Sequence, residues 1–310
     1  MERLKRMPVP VLPTFVGALT LSNLYNGMGF PWVRHLTMWA ATVMILVYLV
    51  KIIRYPEVCR KEYETVVPSS LYAGFTMVLM ILGSYYYDYA PAAGRVLWFT
   101  GLAVHAVHIL VFTWRNVIRQ RSLETFVPSW FVTYNGIMVS CVVGGAMNAG
   151  GILKAVVYYG IIIYFILIPL MVWRLATRKI KPEFYHTMAV VLAPCSLCLV
   201  SLLNVMENPP GALVVILFLC VLVSLAFVIG KLPRFFSFPF SPGYAGMTFP
   251  MAIGTVASGR MEAWLAGNGQ ELLANVAGQL EGIQFYLTTM IIGYVLLKFA
   301  MMALRTERKA

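Results

Sequence analysis

This 310-residue sequence predicts an all-α integral membrane fold: ten transmembrane helices joined as five helical hairpins. Three observations predict it. Twenty of the 24 Lys and Arg residues fall on alternate connections between long apolar runs; Arg34, Arg95, Lys154 and Arg260 fall on the connections between. Ten apolar runs of spanning length fill nearly the whole chain. A proline stands at the head of every second run, at successive steps of 55, 60, 54 and 60 residues.

The charge stripe has a physical cause. A chain that crosses a bilayer repeatedly keeps its cations on the cytoplasmic side. Seven of the 12 acidic residues share that side, so the two faces carry +13 and −1 of the net +12. A nucleic-acid binder would gather its cations into a patch or a tail, so no nucleic-acid partner is expected. With 60% hydrophobic residues, 12% charged and a mean hydropathy of +0.78, the chain has too little polar surface to stand in water. The expectation is a single transmembrane domain over 1–310 in the cytoplasmic membrane, with both termini cytoplasmic. Arg3, Lys5 and Arg6 give the start the look of a signal peptide. Pro8, Pro10 and Pro13 interrupt its approach and no small-x-small cleavage pattern follows, so the first span is expected to be retained.

The spans lie at approximately 11–29, 31–54, 67–87, 94–117, 127–148, 151–177, 184–204, 210–233, 243–260 and 274–304. They pair into hairpins 11–54, 67–117, 127–177, 184–233 and 243–304. Even spans end in cations, such as Lys51 and Arg54 or Arg174 and Arg178, which suit the negative pole of a helix C-terminus. Odd spans start near Pro13, Pro68, Pro128, Pro182 and Pro242. Two of them share letters: Tyr72-Ala73-Gly74-Phe75-Thr76-Met77 is echoed by Tyr244-Ala245-Gly246-Met247-Thr248-Phe249. Odd spans also carry Gly17, Asn23, Gly74, Asn135, Gly136, Pro194, Gly246, Pro250 and Gly254. Small residues let backbones approach, and internal prolines kink a helix and free a carbonyl that lipid cannot satisfy. Odd spans therefore belong inside, and the bulkier even ones, as at Ile161 to Leu167, outside. Five kinked inner helices ringed by five outer ones leave a gap on the axis, a central pore.

No Asp, Glu, Lys or Arg sits in the middle of an inner span. Intramembrane charges mark coupled pumps and relays, so their absence favours a passive path. Thr20, Asn23, Thr76, Asn135, Thr187 and Thr248 would offer it hydroxyl and amide donors without fixed negative charge, which tolerates anions. A helix–helix hydrogen bond is the competing role for each of them.

Gly243-Tyr244-Ala245-Gly246-Met247-Thr248-Phe249-Pro250-Met251 resembles the ninth helix of the tellurite-resistance/dicarboxylate transporter family, which includes the plant guard-cell slow anion channels. Val127-Pro128-Ser129-Trp130-Phe131, Val191-Leu192-Ala193-Pro194 and the Glu62-Tyr63-Glu64 approach to the third span are similar too, and the likeness runs across essentially the whole chain. The resemblance implies an anion channel of five hairpins, a homotrimer with one pore per subunit, and a pore plugged by the phenylalanine of the Thr-Phe-Pro segment, here Phe249. Its candidate lining is Gly17, Thr20, Gly74, Thr76, Met77, Tyr134, Asn135, Gly136, Thr187, Pro194, Gly246, Thr248 and Pro250. An aromatic ring beside a proline at a narrow axis would interrupt a water column. Family members often carry consecutive prolines after Pro-Ser-Trp-Phe, where this chain has Thr133-Tyr134-Asn135, so Tyr134 could narrow the path. Met77, the echo of Phe249, could pack against the plug. Long cytoplasmic tails like those of the plant channels are missing, and a compact prokaryotic form is expected.

Other signals carry less. Cys195 and Cys198 have metal-pair spacing but no second pair, so neither a metal nor any other cofactor is expected. His105 and His108 share a face of an outer span, where bonds to a neighbouring helix are the expectation and a proton relay the rival. His35 and His186 are read as solvated at span ends. Arg260 with Glu262 is read as an anion-drawing mouth or a loop ion pair. Trp32, Trp98, Trp173 and Trp264 are read as interfacial anchors. No phosphate loop or nucleophile triad argues for an enzyme. The expected function is a passive channel for small inorganic or organic anions. The alternative is a proton-coupled carrier of malate-like dicarboxylates, sulfite or tellurite, and a third is a membrane subunit with no flux.

Overall fold

The computed structural model describes residues 2–120 and 123–305. A short α1 (Glu2–Lys5) precedes α2 (Val11–Gly27) and α3 (Pro31–Arg54). Proline at the head of α3 lacks an amide that the first helical turn leaves unpaired anyway. A polar surface helix, α4 (Pro56–Glu64), leads into α5 (Val66–Leu71) and α6 (Ala73–Tyr87). Next come α7 (Pro91–Thr113) with a π turn at Trp114–Arg119, then α8 (Trp130–Tyr134), α9 (Val139–Val143) and α10 (Gly150–Thr177). The chain closes with α11 (Leu192–Val205), α12 (Gly211–Ser237), α13 (Thr248–Gly267) and α14 (Glu271–Arg305). No strand occurs among the described residues.

Among the described residues seven helical segments are long and apolar enough to cross a membrane: 31–54, 66–87, 91–119, 150–177, 182–205, 211–237 and 271–304. This is a multi-pass membrane protein. Burial sorts the seven into two kinds. In 66–87 and 182–205, 72% and 83% of the most apolar window is buried; in the other five the share is only 22–33%. What those five expose is apolar, as at Leu46 and Ile53 of α3, Leu110 of α7, Ile162 of α10 and Val223 of α12. Such rows are stable against lipid tails rather than water.

Three expectations need correction. The span at 127–148 is not one helix: α8 and α9 are separated and followed by 3-10 turns at Gly136–Met138 and Gly145–Met147. Asn135-Gly136 and Gly144-Gly145 mark the breaks, and Asn148 ends the run at φ 53°. Crowding fixes Gly136, since a Cβ there would lie 2.9 Å from the His105 ring and 3.0 Å from Met77 Sδ.

Second, Pro194 and Pro250 do not kink helices from within. Each is the third residue of its helix, α11 or α13, directly after a 3-10 run at Pro182–Val191 or Pro242–Met247. First-turn amides have no helical acceptor, so a proline there breaks nothing. These two prolines mark the change from 3-10 to α winding. Tyr72-Ala73-Gly74 spans the break between α5 and α6, and its echo Tyr244-Ala245-Gly246 lies in the 3-10 run before α13. The shared letters therefore sit where a helix is interrupted in one copy and where the winding changes in the other.

Third, Trp98 and His186 are core residues, 0% and 2% exposed. Gly83 lets α6 lie against Trp98: a Cβ on Gly83 would be 2.6 Å from the Trp98 nitrogen. His186 stacks on Tyr244 with ring centroids 4.1 Å apart, and its Nε2 donates to the Phe235 carbonyl at 3.0 Å.

One ion pair ties the ends of three helical segments together. Lys51 is fully buried, and its Nζ donates to both Glu62 oxygens at 2.6 and 2.9 Å and to the Met7 carbonyl at 2.7 Å. The Tyr72 hydroxyl donates to Glu62 Oε2 at 2.6 Å. Glu62 thus locks α3, α4 and the start of α6 into one assembly.

Candidate functional site

Phe249, Ile253, Val256 and Arg260 recur at helical spacing on α13 and so share a face. They line a cavity of about 370 Å³ together with Thr20 and Asn23 of α2 and Glu281 of α14. Ile81, Val139, Val142 and Val143 make its other wall apolar. Of the lining residues, Asn23 accepts from Arg34 Nε at its Oδ1 at 3.0 Å, while the same guanidinium pairs with Asp88 at 3.2 Å.

Phe249 also lines a second, much smaller void of about 20 Å³. Every odd segment predicted from the sequence contributes to it: Pro13 of α2, Met77 of α6, Gly136 beyond α8, Leu197 of α11 and Pro250 of α13. This space holds about one water and has no charged lining residue. Phe249 therefore borders both spaces, and it is 5% exposed. A third cavity, of about 720 Å³, opens at the cation-rich ends, beside Pro68, Val127 and Phe184. Those residues lie three to six positions before Leu71, Phe131 and Val190 of the small void.

The predicted site residues divide between these spaces and the helix contacts around them. Thr20 lines the cavity of about 370 Å³; Met77, Gly136, Gly246 and Pro250 line the void. Gly17 and Gly74 are contact points between helices. A Cβ on Gly17 would meet the Thr248–Phe249 backbone, and one on Gly74 would come within 2.9 Å of the Pro13 nitrogen. Gly246 also abuts the His186 carbonyl, which a Cβ would approach to 2.7 Å. Thr76 Oγ1 lies 2.6 Å from His105 Nδ1, and His105 Nε2 donates to the Thr133 carbonyl at 2.9 Å. Asn135 Nδ2 donates to the Gly160 carbonyl at 3.0 Å. The Tyr134 hydroxyl bonds Thr113 Oγ1 at 2.9 Å, on the side of an apolar groove between α7 and α10. Thr187 Oγ1 donates to the Phe184 carbonyl at 2.7 Å, and Thr248 Oγ1 to those of Ala245 at 2.8 Å and Pro13 at 3.3 Å. Pro194 lines neither space, although its neighbours Ala193 and Leu197 line the void.

His105 and His108 are absorbed by packing. His108 Nδ1 lies 2.9 Å from the Tyr63 hydroxyl and its Nε2 3.2 Å from Thr133 Oγ1. Cys195 lies within bonding distance of the Val191 and Leu192 carbonyls, and Cys198 of the Gly160 carbonyl. No group of three or more His, Cys, Asp or Glu comes together among the described residues.

Sequence reasoning missed Ile253 and Val256; Arg260, read as part of an anion-drawing mouth or of a loop ion pair, lines this cavity with them. The signal was present: from Phe249 they follow at i+4, i+7 and i+11, one face of a helix.

The sequence matches the voltage-dependent anion channel family over residues 9–306. It is 23% identical over 252 residues, 74% of each chain, to a tellurite resistance protein TehA homolog of Haemophilus influenzae. With nearly its whole length matched, this chain belongs to the voltage-dependent anion channel family, the same tellurite-resistance/dicarboxylate transporter group that its motifs resemble.

Proposed function

We propose that this protein is a passive anion channel, closed at Phe249, whose conduit joins the cation-rich cavity through the small void to the cavity of about 370 Å³ beside Arg260, its outer cavity. One observation carries the reading: a single aromatic residue, Phe249, lines both the void and the outer cavity. An ion in a space for about one water must shed most of its hydration, and an apolar ring gives nothing in return. The void has no carboxylate to repel an anion.

The fuller architecture belongs to the same proposal. Ten spans in five hairpins complete the seven long segments with α2, the broken 127–148 stretch and α13, all of which contribute to the cavities. Both termini face the cytoplasm, as the charge stripe supports. The assembly is a homotrimer with one conduit per subunit, as the family resemblance of the sequence implies.

Phe249→Ala in planar bilayers tests the reading. Anion current should rise well above that of the wild type; unchanged or lower current overturns the gate. The rival reading is a proton-coupled carrier of dicarboxylates, sulfite or tellurite. It requires saturable uptake driven by a pH gradient and no unitary current steps. The hydrogen bonding of His105 and His108 within the helix packing gives that reading less support.

A further inference from the structure

The conduit leaves one buried cation unexplained. Arg174, in the last turn of α10, is 4% exposed. Its Nε donates to the Leu123 carbonyl at 3.1 Å and its Nη1 to the Arg178 carbonyl at 2.8 Å. Neither acceptor is a carboxylate, and these bonds engage only two of the roughly five guanidinium N–H groups. A buried charge without a counter-charge is costly, and an anion from outside the chain would relieve that cost.

Its surroundings are built for one. Arg174 lines the cavity of about 720 Å³, and Arg178, Lys179 and Lys181 stand on the same wall. The acids lining it are Glu64, Glu124 and Glu183. Glu64 is turned toward Arg60, 4.0 Å away. The cavity therefore keeps an excess of positive charge, with its one buried cation held in place by two carbonyls. A guanidinium presents paired donors that match two oxygens of one anion, which a spherical halide cannot exploit.

We propose that this cavity is a binding site for an oxyanion with two adjacent oxygens, such as a carboxylate or sulfate, anchored by Arg174. The proposal rests on the conduit reading for its role, that of concentrating anions at one mouth of the path. The site itself does not depend on conduction.

The test uses purified full-length protein in detergent, with sodium sulfate, sodium chloride and a short-chain phosphatidylglycerol as probes at constant ionic strength. Sulfate should raise the unfolding midpoint saturably, and chloride should do so more weakly. Arg174→Gln should weaken the apparent sulfate affinity about tenfold, as loss of a charge-assisted hydrogen bond predicts. Because Arg174 also holds two carbonyls, the double variant Arg178→Gln/Lys181→Gln is the second probe. It removes two exposed charges and should weaken sulfate about threefold. Sulfate affinity unchanged in both variants overturns the proposal, as does a shift produced by the lipid alone. The two readings fail separately. A sulfate response lost in Arg174→Gln with no current through Phe249→Ala keeps the site and removes the channel. Current through Phe249→Ala with sulfate binding unchanged in both charge variants does the reverse.

Discussion

A Cβ on Gly17 would stand 2.7 Å from the Phe249 backbone nitrogen, closer than any side chain can sit without moving one of the two helices. That gap lets α2 abut the first turn of α13. Thr248 Oγ1 reinforces the abutment by donating to the Pro13 carbonyl at 3.3 Å. The backbone beneath the Phe249 ring is thus set by the neighbouring helix as much as by its own.

Gly17→Ala should therefore act on the ring from a distance. Forced overpacking of this kind destabilises by about 1–3 kcal/mol. Displacing the first turn of α13 should also let anion current leak through a chain that still carries Phe249. Gly27→Ala is the control, because a Cβ there meets nothing within 4 Å. Thermal unfolding and bilayer recordings on both variants check the contrast. A Gly17→Ala protein that is destabilised yet as tightly closed as the wild type would separate this contact from the gate.

Phe249→Ala should be unusually mild for stability. A phenylalanine packed on all sides costs about 3–5 kcal/mol when cut to alanine. Phe249 lines a cavity and a void as well as packing in the core, so part of its surface already faces space empty of protein. The expected loss is about 2 kcal/mol or less. Phe249→Leu should give a current between wild type and Phe249→Ala, since it narrows the path without filling it. A loss as large as that of an ordinary core phenylalanine would mark the ring as packing and not as a plug.

Glu62→Gln should be the most damaging conservative change at the basic end. It leaves the Lys51 ammonium fully buried with only neutral partners, at a cost of about 3–5 kcal/mol. Adding Lys51→Met should recover much of that loss, because the unpaired charge is then gone. Unfolding of the two variants in detergent reads the difference directly. No recovery in the double variant would mean that the pair is held for its geometry and not for its charge.

The parts of the fold that were legible in sequence are those set by one-dimensional rules. The cations at the ends of α3 and α10 are local signals, as are Pro182 and Pro242, at which helical segments begin. Phe249 was legible only through its likeness to a family segment; as one phenylalanine of 18 it carries no local mark. The polar lining was hard to read because a hydroxyl has two uses of similar energy. Thr20 lines the outer cavity, whereas Thr76 and Asn135 satisfy neighbouring helices. Winding changes were harder still. Pro194 and Pro250 look like internal kinks until the 3-10 runs before them are seen, and 3-10 winding has no periodic signature as clear as an amphipathic helix. Arg174 and Lys51 were read only as end charges, since their burial depends on loops folding back from far along the chain.

Thr76 and Met77 are adjacent in sequence and face opposite duties, which gives a last separation of packing from permeation. Met77 lines the void, whereas Thr76 Oγ1 lies 2.6 Å from His105 Nδ1. Thr76→Val keeps the shape and removes the hydroxyl, leaving His105 Nδ1 buried without its partner. The expected destabilisation is about 1–3 kcal/mol, with anion selectivity unchanged. Met77→Thr instead places a hydroxyl beside the Phe249 ring and should alter relative permeabilities in a Phe249→Ala background. Reversal potentials in mixed-anion gradients read both variants. A selectivity change in Thr76→Val would put that hydroxyl on the path and move the conduit wall one residue around α6.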